Sequence, residues 1–271
     1  MEIYNTRTTC RSCNSSDLQE HMAFGETPLS DRLLKERPLN GEEIKVPLTL
    51  MSCKQCSLVQ IKEEVNPVVL FQEDYPYYSS VSKSLMEHFE RSAMDIIESK
   101  KLSKDSFVME AASNDGYMLQ HFSKKGIGVL GIDPASGPAK VAQERGIPTI
   151  VDFFGDNLAT ELKQKYGQAD VFLGNNVLAH VPDLNGFVEG IKIMLKDDGM
   201  AVIEAPYLLD LVKKREFDTI YHQHLCYFSI TALQCLFNRH GLYLNDLKHV
   251  PVHGGTIRMF IEPFENVSDR V

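Results

Sequence analysis

The sequence lacks any apolar run that approaches the roughly 20 residues needed to cross a bilayer. Its first ten residues, MEIYNTRTTC, also lack the basic and then apolar order of a signal peptide. No internal repeat or low-complexity tract interrupts the 271 residues, of which 43% are hydrophobic. These features predict a soluble, globular, cytoplasmic protein with no membrane partner and with enough apolar residues for a large core.

Excess positive charge is absent as well. The chain carries 28 Lys and Arg against 37 Asp and Glu, a formal net charge of -9, and no stretch concentrates basic residues. Because nucleic-acid phosphates are bound by basic surfaces, this balance disfavours a nucleic-acid partner and favours a small molecule. Six cysteines in a chain of this length, without an export signal, predict reduced thiols that a metal can bind rather than a disulfide framework.

Four of the cysteines form two matched pairs. CRSC (Cys10, Cys13) and CKQC (Cys53, Cys56) are separated by 39 residues, counted from 14 to 52. Each Cys-x-x-Cys turn can present two thiolates on one side, and two such turns complete a tetrahedral zinc site. A redox pair or plain buried thiols are the alternatives, but neither explains two matched turns. A closed four-sulfur site leaves no position for substrate, so the zinc is predicted to be structural and its loss to spare the chemistry elsewhere.

Strand-like and helix-like segments alternate beyond residue 80. An amphipathic helix is predicted over residues 81–101, and strand-like runs such as SFVMEAA, VLGIDPA and MAVIEAP then alternate with helix-like runs such as YMLQHFSKK and LNGFVEGIKIMLKDDG. This pattern predicts a doubly wound α/β domain over residues 81–271, preceded by a small metal-binding domain over residues 1–80. The runs LYLNDLKHV and GTIRMFIEP are joined too closely for a parallel crossover, which predicts an antiparallel pair.

Polar residues follow the predicted strands at the place where α/β sheets bind ligands, beyond the carboxyl ends of the strands. After the first strand, Glu110 leads into ASNDG, which contains Asn114 and a single glycine, Gly116. A dinucleotide would require Gly-x-Gly-x-x-Gly in this loop. S-adenosylmethionine (AdoMet) has no pyrophosphate and is commonly met in sheets that end with an antiparallel pair, so it is the predicted cofactor.

The next predicted strand ends carry groups that suit a nucleoside. Asp133 can accept hydrogen bonds from ribose hydroxyls, Asp152 can accept one from an adenine amino group, and Phe153 can stack on adenine. The fourth strand end adds three residues that face the predicted cleft: Asn175, Asn176 and His180. Each residue also has an ordinary alternative role, because an Asp after a strand often caps a helix and Asn-Asn often forms a turn.

A longer series of motifs resembles the nucleotide-sugar (dTDP-sugar) C-3 C-methyltransferases, which build branched deoxysugars. In order, the motifs are CRSC, TPLSDRLL, CKQCSLVQ, DYPYYSSVSKSL, ASNDGYMLQ, GNNVLAHVPDLN, FDTIYHQHLCYFS and VHGGTIR, and they run from Cys10 to about Arg258. The resemblance implies a zinc-binding N-terminal domain and a Rossmann-like class I AdoMet-dependent methyltransferase domain. It also implies methyl transfer to carbon 3 of a 4-keto deoxysugar carried by a nucleotide diphosphate.

The titratable rings in TIYHQHLCYFS suit this reaction. A carbon beside a ketone must lose a proton to become an enolate nucleophile, which requires a base with a pKa near neutrality and donors for the enolate oxygen. By resemblance, His224 is the base, and Tyr221 and His180 stabilise the enolate or orient the sugar. His222 either contacts the substrate or packs against the backbone in a structural role.

The resemblance also implies that Tyr75 and Tyr78 line the cleft from the zinc-domain side, Tyr75 toward substrate and Tyr78 toward cofactor. An aromatic linker that packs two domains together is the alternative. One residue of the catalytic motif departs from the family pattern, because Gln223 replaces the glutamate of the usual Tyr-His-Glu-His and removes a carboxylate from the predicted catalytic group.

The length is the second departure from the family. Relatives continue beyond VHGGTIR into a further α/β domain that helps to hold the nucleotide sugar, so a separate chain that supplies this domain is a candidate partner. Two alternatives to the C-methyltransferase therefore stay open. One is methylation of oxygen or nitrogen in another small metabolite, and the other is a non-catalytic, AdoMet-binding half of a split enzyme.

Overall fold

The computed structural model describes residues 3–30, 43–71 and 76–266. Its strands are β1 (Tyr4–Thr6), β2 (Leu18–Pro28), β3 (Lys45–Cys53), β4 (Val59–Ile61), β5 (Glu63–Val65), β6 (Phe107–Ala111), β7 (Gly128–Ile132), β8 (Thr149–Ile150), β9 (Ala169–Asn175), β10 (Leu195–Pro206), β11 (Cys226–Tyr227), β12 (Leu242–Val250) and β13 (Thr256–Pro263). Its α-helices are α1 (Pro67–Phe71), α2 (Lys83–Ser99), α3 (Leu119–Ser123), α4 (Ser136–Glu144), α5 (Asp156–Tyr166), α6 (Leu184–Met194), α7 (Leu208–Lys214) and α8 (Ile230–Arg239). Within these ranges, no helix is both long and apolar enough to span a membrane.

A seven-stranded sheet forms the centre of the molecule, in the order β12-β13-β10-β9-β6-β7-β8. The strands from β10 to β8 are parallel, whereas β13 pairs antiparallel with both β10 and β12. β6 and β9 read FVMEA and ADVFLGN, nearly continuous apolar runs that suit strands buried on both faces. The predicted doubly wound sheet and its antiparallel end are therefore confirmed. Because β6 lies between β7 and β9, the chain order reverses there and opens a cleft at the carboxyl ends of the strands.

The helix predicted after the metal-binding segment is confirmed as α2, which is slightly shorter at both ends. The side chain of Ser82 caps its start by accepting a hydrogen bond from the backbone N–H of Leu85 at 3.4 Å. Its buried positions fall on one face and pack against the sheet: His88, Phe89, Ser92, Ala93 and Ile96. The amphipathic pattern of the sequence therefore predicted the correct face.

Two other predicted helices are longer in the sequence analysis than in the structure. The run LNGFVEGIKIMLKDDG predicts a helix over residues 184–199, but α6 ends at Met194 and Leu195 begins β10. Leu195 is buried and pairs with Ala169 of β9, and a bulge separates this pair from the ladder that resumes at Met200. Tertiary pairing thus overrides helical periodicity here. Similarly, α3 covers only five residues of the predicted run over 117–125.

The N-terminal sheet has the order β11-β4-β3-β2, so its first strand comes from a distant part of the chain. β11 pairs antiparallel with β4 through Cys226 and Tyr227. The apolar core is also continuous across the two parts, since Leu58 and Ile61 belong to the same buried cluster as Phe228. The segment with the cysteine pairs is therefore built into the rest of the molecule.

Candidate active site and metal centre

A cavity of about 960 Å³ opens at the carboxyl ends of β6, β7, β8 and β9. It brings together most of the residues predicted to bind cofactor and to act on substrate: Asn114, Asp133, Asp152, Phe153, Asn175, Asn176, His180, Tyr221, Gln223 and His224. Three predicted site residues lie close to it without lining it: Glu110, Tyr78 and His222. Tyr75 lies outside the described residues.

Asp133 lies directly after β7 and is almost completely buried. Its Oδ2 accepts a hydrogen bond from the backbone N–H of Asn114, and its Oδ1 accepts one from that of Ala135, both at 2.8 Å. Burial raises the pKa of this carboxyl to about 6. Each carboxylate oxygen has two lone pairs, so each can accept one further hydrogen bond from the cavity. A ribose diol supplies two such donors.

The loop after β6 is held in a strained conformation. Ala112 and Asn114 have positive φ angles of 54° and 48°, which L-residues rarely adopt. The Asn114 side chain accepts a hydrogen bond from the N–H of Ser79 at 2.9 Å and donates one to the carbonyl of Tyr77 at 3.1 Å. The predicted cofactor residue Asn114 therefore uses its amide to fasten the linker segment to the loop.

Tyr77, which the sequence analysis did not select, lines the cavity and is 45% exposed. The hydroxyl of the selected residue Tyr78 instead lies against Gly137 at the start of α4, where an added Cβ would be 3.1 Å from it. Residues 76–78 form neither a helix nor a strand, so no periodicity in the sequence shows which of the neighbouring rings Tyr77 and Tyr78 turns toward the cleft.

Glu110 and Asn175 form a buried pair behind the cavity wall. Asn175 Nδ2 donates to Glu110 Oε1 at 3.0 Å, and Glu110 is completely buried. Burial raises the pKa of Glu110 to about 8, so this carboxyl is protonated at neutral pH. Glu110 does not line the cavity itself, but its partner Asn175 does. The next residue, Asn176, has a φ of 52° and a buried Oδ1 without a hydrogen-bond partner among the described residues.

Asp152 and Phe153 follow β8 and line the outer part of the cavity. Asp152 is exposed, and its Oδ1 accepts a hydrogen bond from the backbone N–H of Phe153 at 2.7 Å. This local bond fixes the carboxylate at the start of the turn. The Phe153 side chain beside it is partly buried.

His224 is oriented by bonds to both of its ring nitrogens. Nδ1 lies 2.8 Å from the carbonyl oxygen of Thr219, and a carbonyl can only accept, so Nδ1 carries the proton of the neutral ring. Nε2 is therefore the basic nitrogen, and it lies 3.0 Å from the hydroxyl of Tyr221, which donates to it. The two rings stack at a centroid distance of 4.2 Å. This pair combines a base with a hydrogen-bond donor.

His180 is fixed in the same tautomer from the other side. Its Nδ1 donates to the backbone carbonyl of Gln223 at 2.7 Å, and burial lowers its pKa, so the neutral ring predominates at pH 7. The centroids of the His180 and His224 rings are 4.9 Å apart. In each imidazole Nδ1 carries the proton, which leaves Nε2 as the basic nitrogen.

The side chains of His222 and Gln223 both donate to backbone carbonyls of the N-terminal segment, although Gln223 also lines the cavity. His222 is completely buried, and its Nε2 donates to the carbonyl of Pro47 at 2.9 Å. It does not line the cavity, so its placement favours the structural alternative over substrate contact. The Gln223 side chain is also buried, and its amide donates to the carbonyl of Ser30 at 3.4 Å.

The charges along the cavity have one sign. Seven carboxylates line it, and no Lys or Arg does so in the described part of the chain: Asp133, Asp152, Asp156, Glu161, Asp183, Glu216 and Asp218. AdoMet carries a sulfonium and an ammonium group against one carboxylate, so this field suits it. The two free acceptor positions of Asp133 and the unpaired Asn176 Oδ1 also fit AdoMet.

The four cysteines of the predicted zinc site converge, and all four sulfurs lie within 4.8 Å of one another. Cys10 Sγ lies 3.5 Å from Cys56 Sγ, and Cys13 Sγ lies 3.5 Å from Cys53 Sγ. A zinc ion with four sulfurs at about 2.3 Å would separate them by about 3.8 Å, so the cluster fits this ion. None of the four forms a disulfide.

The two cysteine pairs share one backbone design. The residue after each pair, Asn14 or Ser57, has a φ near 60°, at 59° and 62°, and its N–H donates to the carbonyl of the first cysteine of the pair at 3.0 Å. This closed turn brings the two thiols of a pair to one side. The predicted grouping of Cys10, Cys13, Cys53 and Cys56 is thereby confirmed.

Two family models match the chain. Residues 10–71 match the "Putative zinc binding domain" and residues 86–247 match the "Methyltransferase domain", which covers more than half of the chain. Among curated proteins, the C-methyltransferase NovU of Streptomyces niveus is 36% identical over 254 residues, 94% of this chain and 60% of NovU. The ubiquinone biosynthesis O-methyltransferase of Escherichia coli K12 DH10B is 27% identical over 130 residues, 41% of this chain and 53% of that protein. The chain thus spans less than two thirds of the length of either relative.

Solved structures share the fold at low identity. PH0226 protein from Pyrococcus horikoshii OT3 aligns with a TM-score of 0.53 and 14% identity, over 69% of this chain and 94% of its own. Magnesium protoporphyrin IX methyltransferase from Synechocystis PCC 6803, solved with bound SAH, aligns with a TM-score of 0.50 and 12% identity, over 65% and 81%. The sheet order, the polar strand ends and the family models therefore identify the chain as a member of the AdoMet-dependent methyltransferases, with a four-cysteine zinc-binding domain before the methyltransferase domain.

Proposed function

We propose that this protein is a C-methyltransferase that transfers a methyl group to carbon 3 of a 4-keto deoxysugar carried by a nucleotide diphosphate, through an enolate. The proposal depends chiefly on the Tyr221–His224 pair, in which a basic imidazole nitrogen and a phenol lie 3.0 Å apart beside the cofactor cavity. The 36% identity to a C-methyltransferase supports it. We also propose the division into a zinc-binding domain over residues 1–80 and a methyltransferase domain over residues 81–271.

The proton transfer is assigned to His224. Because Thr219 holds the proton on Nδ1, Nε2 is available to remove the proton from carbon 3 once Tyr221 rotates its donor toward the substrate. The Tyr221 hydroxyl then donates to the developing enolate oxygen, which is the group that needs stabilisation in this step. A movement of one hydrogen bond thus frees the base and activates the ketone together.

His180 completes the proposed catalytic group. Its neutral ring lies 4.9 Å from the His224 ring, close enough to orient the sugar beside the base. Gln223 contributes through its backbone carbonyl, which fixes the His180 tautomer at 2.7 Å, rather than through its side chain. This role explains how the site can dispense with the carboxylate that usually occupies the position.

The cofactor side is assigned to the strand ends. Asp133 would hold the ribose, and Asp152 and Phe153 would hold the adenine. The Oδ1 of Asn176, which has no hydrogen-bond partner among the described residues, would accept a hydrogen bond from AdoMet. When bound, AdoMet supplies an electrophilic methyl group. Glu110 is assigned to the orientation of Asn175, Tyr78 to the cofactor side of the linker, and Tyr75 to the substrate.

The charge of the cavity constrains where the nucleotide diphosphate lies. Its phosphates are anionic, whereas the described lining has seven carboxylates and no Lys or Arg. Only the sugar ring is therefore assigned to the cavity. The diphosphate would be held by cationic groups outside it, on another segment or on a partner chain.

The same observation favours a second candidate function. A methyl acceptor that is neutral or cationic, methylated on oxygen or nitrogen, would meet no repulsion from the carboxylates. The two candidates differ in one chemical step, because only methylation at carbon requires the carbon-3 proton to leave before the methyl group arrives.

The test uses a nucleotide-diphosphate 4-keto deoxysugar in deuterated buffer. Proton NMR should show loss of the carbon-3 signal in the presence of enzyme, and mass spectrometry should show one added methyl group that resists acid and base when AdoMet is present. His224→Ala is the matched variant, and it should show neither exchange of the carbon-3 proton nor the methylated product. Absence of exchange and of product, with AdoMet bound, would direct attention to the second candidate.

A further inference from the structure

The proposed base lies in a turn over residues 221–224, the catalytic turn, in which the N–H of His224 donates to the carbonyl of Tyr221 at 3.0 Å. This turn is attached to the N-terminal sheet. Directly after His224, the chain enters β11, which pairs with β4 through Cys226 opposite Gln60 and Tyr227 opposite Val59. The N–H of Ile61 also donates to the carbonyl of Leu225 at 3.1 Å. β11, the strand that follows the turn, thus belongs to the N-terminal sheet and not to the central sheet.

Two side chains of the turn extend this attachment. His222 donates to the carbonyl of Pro47 in β3, and Gln223 donates to the carbonyl of Ser30, across 175 and 193 positions of sequence. Two hydrogen bonds hold the turn from the methyltransferase side. The N–H of Leu225 donates to the carbonyl of Ala179, and Nδ1 of His180 donates to the carbonyl of Gln223, both at 2.7 Å. The turn is therefore held between the two parts of the chain.

The cysteine cluster forms the base of the same sheet. β3 ends at Cys53, β4 begins three residues after Cys56, and the N–H of Cys53 donates to the carbonyl of Leu58 at 2.8 Å. The second cysteine pair thus lies in the connection between the two strands to which the turn is bound. A metal held by the four sulfurs would fix the relative position of these strands.

We propose that the four-cysteine metal centre positions the catalytic turn, and that His222 is the positioning residue that connects the turn to the metal-bound sheet. This proposal rests on the proposed function in so far as His224 is the base. It departs from the expectation that a structural zinc site would leave the chemistry unaffected. The consequence is a separation of effects: loss of the His222 bond impairs proton removal and leaves AdoMet affinity unchanged, because no strand end on the cofactor side depends on it.

The test compares His222→Leu with His222→Gln. Leucine removes the donor to Pro47, whereas the glutamine amide places an N–H near the position of Nε2 and can restore the bond. We expect kcat to fall about 10- to 100-fold in His222→Leu, as a displacement of about 1 Å produces, and to recover to within about threefold in His222→Gln. Both variants should keep about one zinc per chain and an AdoMet Kd within about twofold of the parent.

A second readout requires no turnover. In protein labelled with ¹⁵N at histidine, NMR should show His224 and His180 in the Nδ1–H form, and His222→Leu should convert the His224 signal to a mixture of tautomers. His121→Leu is the control, since it removes a buried imidazole on α3 that has no bond to the turn. Its His224 signal and its kcat should match those of the parent.

The outcomes separate this proposal from the proposed function. If the parent does not act on 4-keto sugars but the His224 signal still depends on His222, the proposed function fails and the positioning role stands. If His222→Leu keeps full zinc, the parental His224 signal and the parental kcat, the positioning role is wrong. Should His222→Leu fail to fold, removal of zinc from the AdoMet-bound parent decides the question, because an unchanged His224 signal after metal loss would overturn the proposal.

Discussion

The two sides of the cleft are built in different ways. On the cofactor side, Asp133, Asp152 and Asn175 each lie at the end of a strand of one parallel sheet. On the catalytic side, His224 lies in an irregular turn, and the supports of that turn come from the N-terminal sheet and from the loop after β9. The first arrangement belongs to a single fold unit, whereas the second exists only when two parts of the chain are assembled.

This difference separates affinity from rate. Asp133 is fixed by backbone groups two and 19 positions away in sequence, so its geometry is secured as soon as the central sheet folds. His224 depends for its environment on contacts made by its neighbours across 175 and 193 positions. Changes on the cofactor side should therefore appear in the AdoMet Kd, and changes on the catalytic side should appear in kcat.

The largest expected effect breaks the catalytic side alone. His224→Ala removes the nitrogen assigned to carbon-3 proton removal, and loss of a general base typically lowers the rate about 100- to 10,000-fold. AdoMet affinity should stay within about twofold of the parent, since the ring packs against Tyr221, His180 and Tyr227 rather than against the residues assigned to the cofactor. Exchange of the sugar proton followed by NMR, and calorimetry with AdoMet, measure the two effects.

His21→Ala is the control for this change, because His21 is exposed on β2 and, within the described part of the chain, bonds to the hydroxyl of Ser52 rather than to any residue of the cleft. It should leave both constants unchanged. If proton exchange survives in His224→Ala but is lost in His180→Ala, the base is His180 and not His224.

The next effect breaks the cofactor side alone. Asp133→Ala removes a carboxylate assigned two hydrogen bonds from the ribose, and loss of bonds to a charged group should weaken AdoMet by about 1.5 to 3 kcal/mol, roughly 10- to 150-fold in Kd. Asp152→Ala is the matched comparison and should cost less, because this carboxylate is exposed and water can replace it. Equal effects of the two changes would contradict the assignment of the ribose to Asp133.

The cofactor side could be predicted from the sequence because its geometry is local. Apolar runs identified the strands, and the residues directly after them, such as Asp133 and Asn175, fall at one edge of the sheet whatever the rest of the chain does. The helix α2 and the paired Cys-x-x-Cys turns could be predicted for the same reason, since each depends on residues close in sequence. The end of α6 could not be predicted, because Leu195 joins a strand through pairing with Ala169.

The catalytic side could be predicted only as a cluster of residue types. The motif YHQH shows two histidines two positions apart, and nothing in it reveals that His222 is buried against Pro47 while His224 faces the cavity. Tyr77 and Tyr78 present the same difficulty. Which of two neighbouring rings enters a cleft depends on the partner surface, and that surface comes from elsewhere in the chain.

A pH series sharpens the description of the cofactor side. Burial raises the pKa of Asp133 to about 6, so the carboxylate form, to which the two ribose hydroxyls are assigned, predominates above pH 6 and is lost as the pH falls below it. The ionised fraction decreases about tenfold between pH 7 and pH 5, and the AdoMet Kd should rise by up to about that factor. Calorimetry across this range checks the profile. Asp133→Asn should give a flat profile, and a flat profile in the parent would show that the ionisation of Asp133 does not govern binding.

The smallest expected effect on binding concerns Glu110, which lies behind the same wall. Because burial raises its pKa to about 8, Glu110 is uncharged at pH 7, and Glu110→Gln keeps both its shape and the acceptor for Asn175. The AdoMet Kd at pH 7 should therefore change by less than about twofold, whereas Glu110→Ala removes the acceptor of Asn175 Nδ2 and should destabilise the fold by about 1 to 3 kcal/mol. The folded state retains a proton that the unfolded state releases above pH 4.5, so the stability contributed at this position falls as the pH rises from 4.5 to 8. Glu110→Gln has no proton to lose, and its melting temperature relative to the parent should rise steadily across that window. If the melting temperatures of the two proteins changed in parallel with pH, the carboxyl would titrate alike in the folded and unfolded states, which would contradict the raised pKa of Glu110.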